Sequence, residues 1–539
     1  MRRRLLTALA AGVPLAAAVY LPTASAEPQN SASTPLNCDT VSVKAPPGTE
    51  VQSVTAVRQE GGTIQGTGVL QGTVTDVPAF CEVTVTLTHP GDSDRAKVRT
   101  WLPISGWNGR FQGLGGAAYL AGDNNVGLAT AVKNGYAATT TDAGVGDALD
   151  TSWALNTKGQ VNAALLKNFA SRSQHEAAVV GKEVVDGVYG KRASYSYFTG
   201  CSTGGRQGYM EAQRYPTDYD GILADAPAIN WDEFEVATLW PQVVMNNEKT
   251  YPTPCEFNSF TDAAVKACDS LDGVKDGLVN DASRCDFDPR RLIGTKLVCN
   301  GKELTITAAD AAVVRKIWDG PRTPSGKKLW SGVPIGANLA ALAGVSDPDA
   351  DGNVKGAPFP VPADWVRLWV AKDSSLDISK ITYSRFTQLF KQSEAEYDKV
   401  IGTDDPDLSA FRKSGGKLLT WHGQADQYIP TQGTVQYRKQ VEREMGGSKR
   451  VDDFYRLFLA PNTNHCGLNG LDGSADGLAA LTAWVEHGKA PQTLPATLVN
   501  ADGQPITRDL CSYPSVSRYE GHGDTAAASS FRCVSPSRH

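Results

Sequence analysis

Positive charge is not in excess in this chain: 52 Lys and Arg stand against 58 Asp and Glu, a formal net charge of -6 at pH 7. That removes the electrostatic footprint of a nucleic-acid binder. Beyond Ala26 no apolar run is long enough to span a bilayer. Paired C-x-x-C units are missing, so the ten cysteines do not read as zinc ligands. Histidine is scarce, with seven in 539 residues, and the search for a general base starts from a short list. What is left is an ordinary globular composition, long enough for two or more domains or for one large catalytic domain with an insertion.

The N-terminus carries a pattern of its own. Met1 to Arg4 is basic, Leu5 to Leu21 apolar, and Ala24-Ser25-Ala26 small, the three parts of a secretory signal peptide over residues 1–26. A secreted protein, without membrane association after cleavage, is the expectation. In an exported chain an even number of cysteines reads as five disulfides. Local spacing suggests Cys38 with Cys81, Cys268 with Cys285, and Cys511 with Cys533, leaving Cys201, Cys255, Cys299 and Cys466.

The stretch from Phe198 to Gly208 organises the rest. A β-type run, Tyr195 to Phe198, enters it, glycines at 200, 204 and 205 allow a sharp reversal, and Arg206 to Arg214 leaves with helical character. Ser202 stands at the apex of Gly200-Cys201-Ser202-Thr203-Gly204, in the register of a G-x-S-x-G nucleophile elbow. There the first N–H groups of the helix favour developing negative charge. The motif alone is common in a Gly-rich chain; the strand, turn and helix around it give it weight.

Upstream, residues 36–104 read as short strands (51–57, 63–75 and 82–88). The glycine cluster that follows fits a dinucleotide fingerprint at Gly113, Gly115 and Ala118, but its flanks do not form a βαβ unit. It reads either as a tight turn or as a loop whose bare backbone N–H completes an oxyanion hole. Ala137 to Thr141 reads as a buried strand, Val161 to Val188 as a helix and Asp220 to Pro227 as the next strand. This is the alternation of a parallel α/β sheet. The first part of a catalytic domain thus spans 27–230. From 231 to 409 the chain reads as loop-rich, with six tryptophans, an inserted cap or lid domain. The second catalytic part, 410–539, resumes with a strand at Lys417 to Trp421 running towards Asp426. A helix from Gln432 to Met445 and a strand from Phe454 to Leu459 lead to His465, and an irregular flap follows Pro491. Within the cap, Asp269, Asp272 and Asp276, with glycines at 273 and 277 and carbonyls of Val274 and Leu278, offer hard oxygen ligands of the kind calcium prefers. An acidic surface turn is the other reading.

Serine needs a neutral imidazole to accept its proton and a carboxylate to fix the tautomer. Ser202, Asp426 and His465 occur in the chain order Ser, Asp, His of an α/β-hydrolase, with acid and base each in a loop after a late strand. His422 reads as structural, His175 as a surface or packed helix residue, and Asp142 and Asp225 as poorly placed rival acids. Arg206 reads as half of a helix-start salt bridge rather than a contact to a substrate carboxylate. Cys201 precedes Ser202 and Cys466 follows His465. If nucleophile and base meet, these two cysteines come within disulfide reach, and Cys255 then pairs with Cys299.

The segments 200–208 and 211–221, together with His422-Gly-x-Ala-Asp426 and His465-Cys466, resemble the tannase and feruloyl esterase family, with bacterial mono(hydroxyethyl) terephthalate hydrolase a relative. The resemblance spans nearly all of the mature chain. It implies an α/β-hydrolase fold with a lid, Ser202 as nucleophile, Asp426 as acid and His465 as base. The Thr203 N–H and one N–H from Gly115 to Ala117, centred on Gly116, would form the oxyanion hole. A calcium site at Asp269, Asp272, Val274, Asp276 and Leu278 is implied as well. The expected activity is hydrolysis of small-molecule esters of hydroxylated aromatic acids, free or attached to plant polysaccharide or polyphenol, feruloyl esters first. Three alternatives stand beside it: a tannase acting on galloyl esters, a non-catalytic polyphenol or carbohydrate binder on a hydrolase scaffold, and a serine peptidase.

Overall fold

The computed structural model describes residues 38, 41–280, 282–346, 354–470, 473–500 and 503–535; the expected signal peptide, 1–26, lies outside them. Nine strands make one sheet: β1 (Glu50–Gln59), β2 (Phe80–Thr88), β3 (Ala96–Pro103), β4 (Arg110–Leu114), β5 (Ala137–Thr141), β6 (Tyr195–Cys201), β7 (Gly221–Asp225), β8 (Lys417–Gly423) and β9 (Tyr455–Ala460). Their spatial order is β1-β2-β3-β5-β4-β6-β7-β8-β9. The first three strands and β5 pair antiparallel, and from β5 to β9 every pairing is parallel. Every residue of β5 and β7 is buried, as expected of parallel strands covered on both faces. The exchange of β4 and β5 is a switch in strand order, and ligands in such sheets bind at the carboxyl ends of the strands.

Strands β7 and β8 are neighbours, with Gly221 to Leu223 paired against Lys417 to Leu419, although the chain between them runs from Ala226 to Gly416. Its described residues add nothing to the large sheet. This segment is mainly helical rather than loop-rich as expected. It contains helices at Trp231–Thr238, Trp240–Glu248, Pro254–Cys268, Ala308–Asp319 and Tyr383–Tyr397, and a small hairpin of Lys296–Cys299 with Lys302–Thr305. Two of the helices start on capping boxes, at Thr253 with Glu256 and at Thr307 with Asp310. The tail after Pro491 also departs from expectation: Thr493–Val499 pairs with Pro505–Cys511, and Val516–Tyr519 with Phe531–Val534. The run 63–75 is two short strands, Gly62–Gln65 and Thr73–Val77, rather than one. No helix among the described residues is long and apolar enough to cross a membrane.

One aromatic cluster joins the inserted segment to the layer around the sheet. Trp369 stacks on Tyr119 at 5.1 Å and meets Trp153 edge-on at 5.1 Å, while Trp231 packs against Tyr119 at 5.9 Å and Phe169 at 5.6 Å. The Tyr119 hydroxyl donates to the Val361 carbonyl at 2.9 Å. Because Trp369 has no exposed surface, Trp369→Ala is expected to cost about 3–5 kcal/mol. Calorimetry should show one lowered transition, since both segments share this core; two separated transitions would show that the inserted segment unfolds by itself.

Candidate active site

The turn after β6 is strained at one residue. Ser202 has φ 64° and ψ -125°, a conformation that costs a non-glycine residue energy and survives only where surroundings over-determine it. They do so here by close approach of bare backbone. A Cβ on Gly200 would lie 2.5 Å from the Gly204 carbonyl carbon, and one on Gly115 would lie 2.4 Å from the Gly204 Cα. The Ser202 N–H donates to the Asp225 carbonyl (3.0 Å), and the helix that follows, α1 (Thr203–Arg214), begins at once. Ser202 therefore sits at the carboxyl end of β6, partly exposed, with the start of α1 behind it.

Asp426 and His465 stand on the turns after β8 and β9. The His465 Nδ1 lies 2.7 Å from Asp426 Oδ2; facing a carboxylate, it carries the proton and leaves Nε2 as the acceptor. Asp426 has no exposed surface. Its Oδ1 accepts the N–H groups of Tyr428 (2.9 Å) and Ile429 (2.8 Å). Its Oδ2 also faces the Nε2 of His422 at 3.1 Å. Burial pushes this carboxyl up, but the attraction of His465 and the hydrogen bonds from His422 and His465 outweigh it and hold the group well below the usual carboxylate range. His422, fully buried, receives the Thr434 hydroxyl on Nδ1 (2.9 Å) and directs Nε2 also at the Ile429 carbonyl (3.1 Å). It is thus part of the Asp426 setting, and the signal was present in the sequence as a His and an Asp four residues apart.

All five expected disulfides are present: Cys38–Cys81, Cys201–Cys466, Cys255–Cys299, Cys268–Cys285 and Cys511–Cys533. The second joins the residue before Ser202 to the residue after His465, with the Cα atoms 6.1 Å apart. The bond thus ties the segment that carries Ser202 to the segment that carries His465, from opposite sides of the inserted segment.

The glycine loop after β4 corrects one expectation. The Gly116 N–H is not available, because it donates to Gln207 Oε1 at 3.0 Å. Those of Gly115 and Ala117 are taken by the carbonyls of Thr199 and Leu120, both at 3.0 Å. Among the described residues, the next N–H in the loop, that of Ala118 in a left-handed conformation (φ 49°), has no acceptor. Neither has the Thr203 N–H at the start of α1. The Thr203 hydroxyl donates to the Ala118 carbonyl at 2.7 Å and ties the two residues together. The loop is no dinucleotide turn, since the next helix starts only at Asn125.

The remaining candidates lie elsewhere. His175 bonds Asp218 at 2.6 Å and stacks on Tyr215. The carboxylate of Asp142 is held by the N–H groups of Lys97 and Gly144. Asp225 is buried at the end of β7, its carboxyl pushed well up by that burial. Among the described residues Arg206 has no salt-bridge partner, contrary to the expected helix-start pair. Its guanidinium is fully buried over the rings of Phe169 and Trp231 and donates to the carbonyls of Ala170 (2.8 Å) and Phe169 (3.1 Å); burial pushes its pKa down to about 9.

The acidic loop curls on itself: Asp269 Oδ1 accepts the N–H groups of Asp276 (3.1 Å) and Gly277 (3.0 Å), and Asp272 Oδ1 that of Val274 (3.2 Å). Asp276 also receives the Arg508 guanidinium. Burial pushes Asp272 up to about 6 and raises Asp276 as well, and next to them the buried Asn280 Oδ1 has no partner among the described residues. Buried carboxylates beside an orphaned oxygen are a donor set that fits a hard cation.

Residues 81–534 match the model of the family described as tannase and feruloyl esterase. The chain belongs to that family. A probable feruloyl esterase of Arthroderma benhamiae is 47% identical over 511 residues, covering 92% of this chain and 94% of that protein. Among solved structures, tannin acyl hydrolase from Aspergillus niger superposes with a TM-score of 0.81 at 26% identity, covering 91% of this chain and 93% of its own. Feruloyl esterase B from Aspergillus oryzae gives 0.75 at 28%, covering 91% and 98%. The fold is that of an α/β-hydrolase, and the protein is a carboxylic ester hydrolase. These family members are fungal, so the bacterial kinship expected from the motifs is not borne out.

The disulfide next to Ser202 and His465 closes 265 residues of chain, a constraint worth on the order of 5 kcal/mol in the chain-entropy model. A Cys201→Ala, Cys466→Ala double variant is expected to melt at lower temperature and to lose most ester turnover; wild-type turnover would show that the bond does not hold the two side chains in place.

Proposed function

We propose that the protein is a secreted feruloyl esterase in which Ser202 is the nucleophile, His465 the general base and Asp426 the orienting acid. His465 Nε2 takes the Ser202 proton as Oγ adds to the ester carbonyl, and the oxyanion that forms meets the N–H groups of Thr203 and Ala118. Collapse expels the alcohol, protonated by His465, and leaves an acyl-serine. Water, deprotonated by the same imidazole, releases the acid. The observation that carries this reading is the 2.7 Å bond from His465 to a buried Asp426, with the Cys201–Cys466 disulfide beside the strained Ser202. Export is supported by the basic, apolar and small-residue pattern of residues 1–26 and by the five disulfides.

An aromatic acyl group is favoured by what stands over the base. The ring of Tyr428 meets His465 edge-on at 5.6 Å, and Phe359 of the inserted segment stacks on Tyr428 at 4.9 Å. The inserted segment, 231–409, thus acts as a lid over the acyl site. The name of the 47% identical relative favours ferulate over gallate.

Asp269, Asp272 and Asp276, with the carbonyls of Val274 and Leu278, would hold a calcium ion. When bound, the ion neutralises these carboxylates and fixes the loop. The Asn280 carbonyl and the Ala282 N–H meet the side chain of Gln424 at 2.8 and 3.1 Å, two residues before Asp426, so order in the loop supports the acid.

Two experiments test this reading. A fluorophosphonate probe should label the wild type and fail on Ser202→Ala; no labelling of the wild type would favour a binding protein on a hydrolase scaffold. Methyl ferulate should be cleaved faster than methyl gallate, a terephthalate monoester or an acetyl ester of the same alcohol. Phe359→Ala should narrow the ferulate advantage over acetate by raising KM. Equal rates on feruloyl and acetyl esters would remove the aromatic acyl site.

A further inference from the structure

The Ala118 N–H can meet an oxyanion only if the loop after β4 holds it in one direction, and a side chain from outside the loop grips that loop at both ends. The loop reverses at 117–120: the Ala117 N–H donates to the Leu120 carbonyl at 3.0 Å, and the Leu120 N–H returns to the Ala117 carbonyl at 2.9 Å. Ala118 stands inside this reversal at φ 49°, a left-handed conformation that a residue with a Cβ keeps only where its surroundings enforce it. Gly116 and Ala121 flank the reversal, and Gln207 of α1, which has no exposed surface, spans the two. Its Oε1 accepts the Gly116 N–H at 3.0 Å, and its Nε2 donates to the Ala121 carbonyl at 2.8 Å.

The two gripped groups dictate the residue between them. Gly116 presents a donor and Ala121 an acceptor, so the side chain must supply one of each, as a carboxamide does in a single orientation. Glycine at 115 admits that amide: a Cβ built there would stand 2.9 Å from Gln207 Oε1. Gln174, on the helix Ser173–Tyr189, adds its own Nε2 to the Ala121 carbonyl at 2.7 Å. An apolar residue at 207 would leave the buried Gly116 N–H unpaired and the Ala121 carbonyl with Gln174 alone. Two further bonds tie the loop to the start of α1: the Gly204 N–H donates to the Gly116 carbonyl at 3.0 Å and the Thr203 hydroxyl to the Ala118 carbonyl at 2.7 Å. Ser202, the Thr203 N–H and the grip on Ala118 are thus all referred to one helix.

We propose that Gln207 is a positioning residue for ester hydrolysis, acting on the Ala118 N–H through the loop it grips. The proposal rests on the reading above, in which Ser202 is the nucleophile and the N–H groups of Thr203 and Ala118 receive the oxyanion. Having no exposed surface, Gln207 makes no contact with substrate itself. Its effect falls on the transition state. Full negative charge on the carbonyl oxygen exists only at the tetrahedral stage, so a donor turned away from that oxygen slows acylation and deacylation and leaves binding of the acyl group unchanged.

The test is steady-state cleavage of methyl ferulate by Gln207→Met and Gln207→Glu, with inhibition by free ferulate and by a trifluoromethyl ketone analogue of the ester measured alongside. Met fills the space without an amide, and kcat should fall about 10–100-fold, since a misplacement of about 1 Å costs on the order of 100-fold. The ketone, which forms a tetrahedral adduct on serine, should bind more weakly by a similar factor, while the Ki of ferulate stays at its wild-type value. A protonated Glu offers a carbonyl oxygen to the Gly116 N–H and an O–H to the Ala121 carbonyl, whereas its carboxylate has only acceptors. The kcat of Gln207→Glu, divided by that of the wild type at each pH, should therefore be highest at low pH and fall as the pH rises. If Gln207→Met fails to fold, Gln207→Glu carries the measurement. A folded Gln207→Met with wild-type kcat, a loss of ferulate binding equal to the loss of turnover, or a pH-independent ratio for Gln207→Glu overturns the positioning role while an active wild type upholds the esterase reading. A wild type that neither cleaves methyl ferulate nor takes the fluorophosphonate label overturns that reading, and this role with it.

Discussion

A carboxylate with no contact to water must be held by donors or it takes a proton, and the site is arranged around that constraint at Asp426. Four groups converge on it: two backbone N–H groups of its own turn and two imidazoles from different places in the chain. Together they reverse the effect of burial and keep the group ionised. Charge at this position sets the tautomer of His465, and the tautomer decides whether its outer nitrogen can accept a proton. The same donors make Asp426 a source of stability. Its folded pKa lies below its unfolded value of about 4, so the contribution is complete above that value and declines as the pH falls through and below it.

The inserted segment is bound to this site by packing rather than by sheet hydrogen bonds. Tyr119 shows how. It lies directly after Ala118, stacks on Trp369, and donates to Val361, so the loop that presents an unpaired N–H on one side carries an anchor for the insertion on the other. On the far side of the base, Phe359, Tyr428 and His465 continue the contact. A shift of the insertion is therefore felt at both the loop and the imidazole, because a close-packed aromatic layer transmits displacement instead of absorbing it.

Much of this was legible from residues alone, for identifiable reasons. Gly200, Gly204 and the small residues around Ser202 report a turn that only bare backbone can make, and β5 and β7 report burial on both faces by lacking alternation. The pairing of Cys201 with Cys466 followed from supposing that their neighbours meet. The helical nature of the insertion was less visible, because its short helices are separated by prolines and glycines and no single amphipathic period runs long. The tail strand Thr493–Val499 alternates buried Leu494, Ala496 and Leu498 with half-buried or exposed positions, but Pro495 within it and Pro505 at the start of its partner disguise the pair. In the sequence, glycine suggests an accessible N–H at Gly116. In the fold Gln207, one turn into α1, occupies that N–H, a contact between distant segments that local pattern does not contain.

The bridge from 201 to 466 also dictates a sequence of events during biosynthesis. The serine is translated long before its histidine, and everything between them, the whole insertion included, must emerge and collapse before the second sulfur arrives. The bridge beside Ser202 and His465 is thus among the last contacts the growing chain can complete.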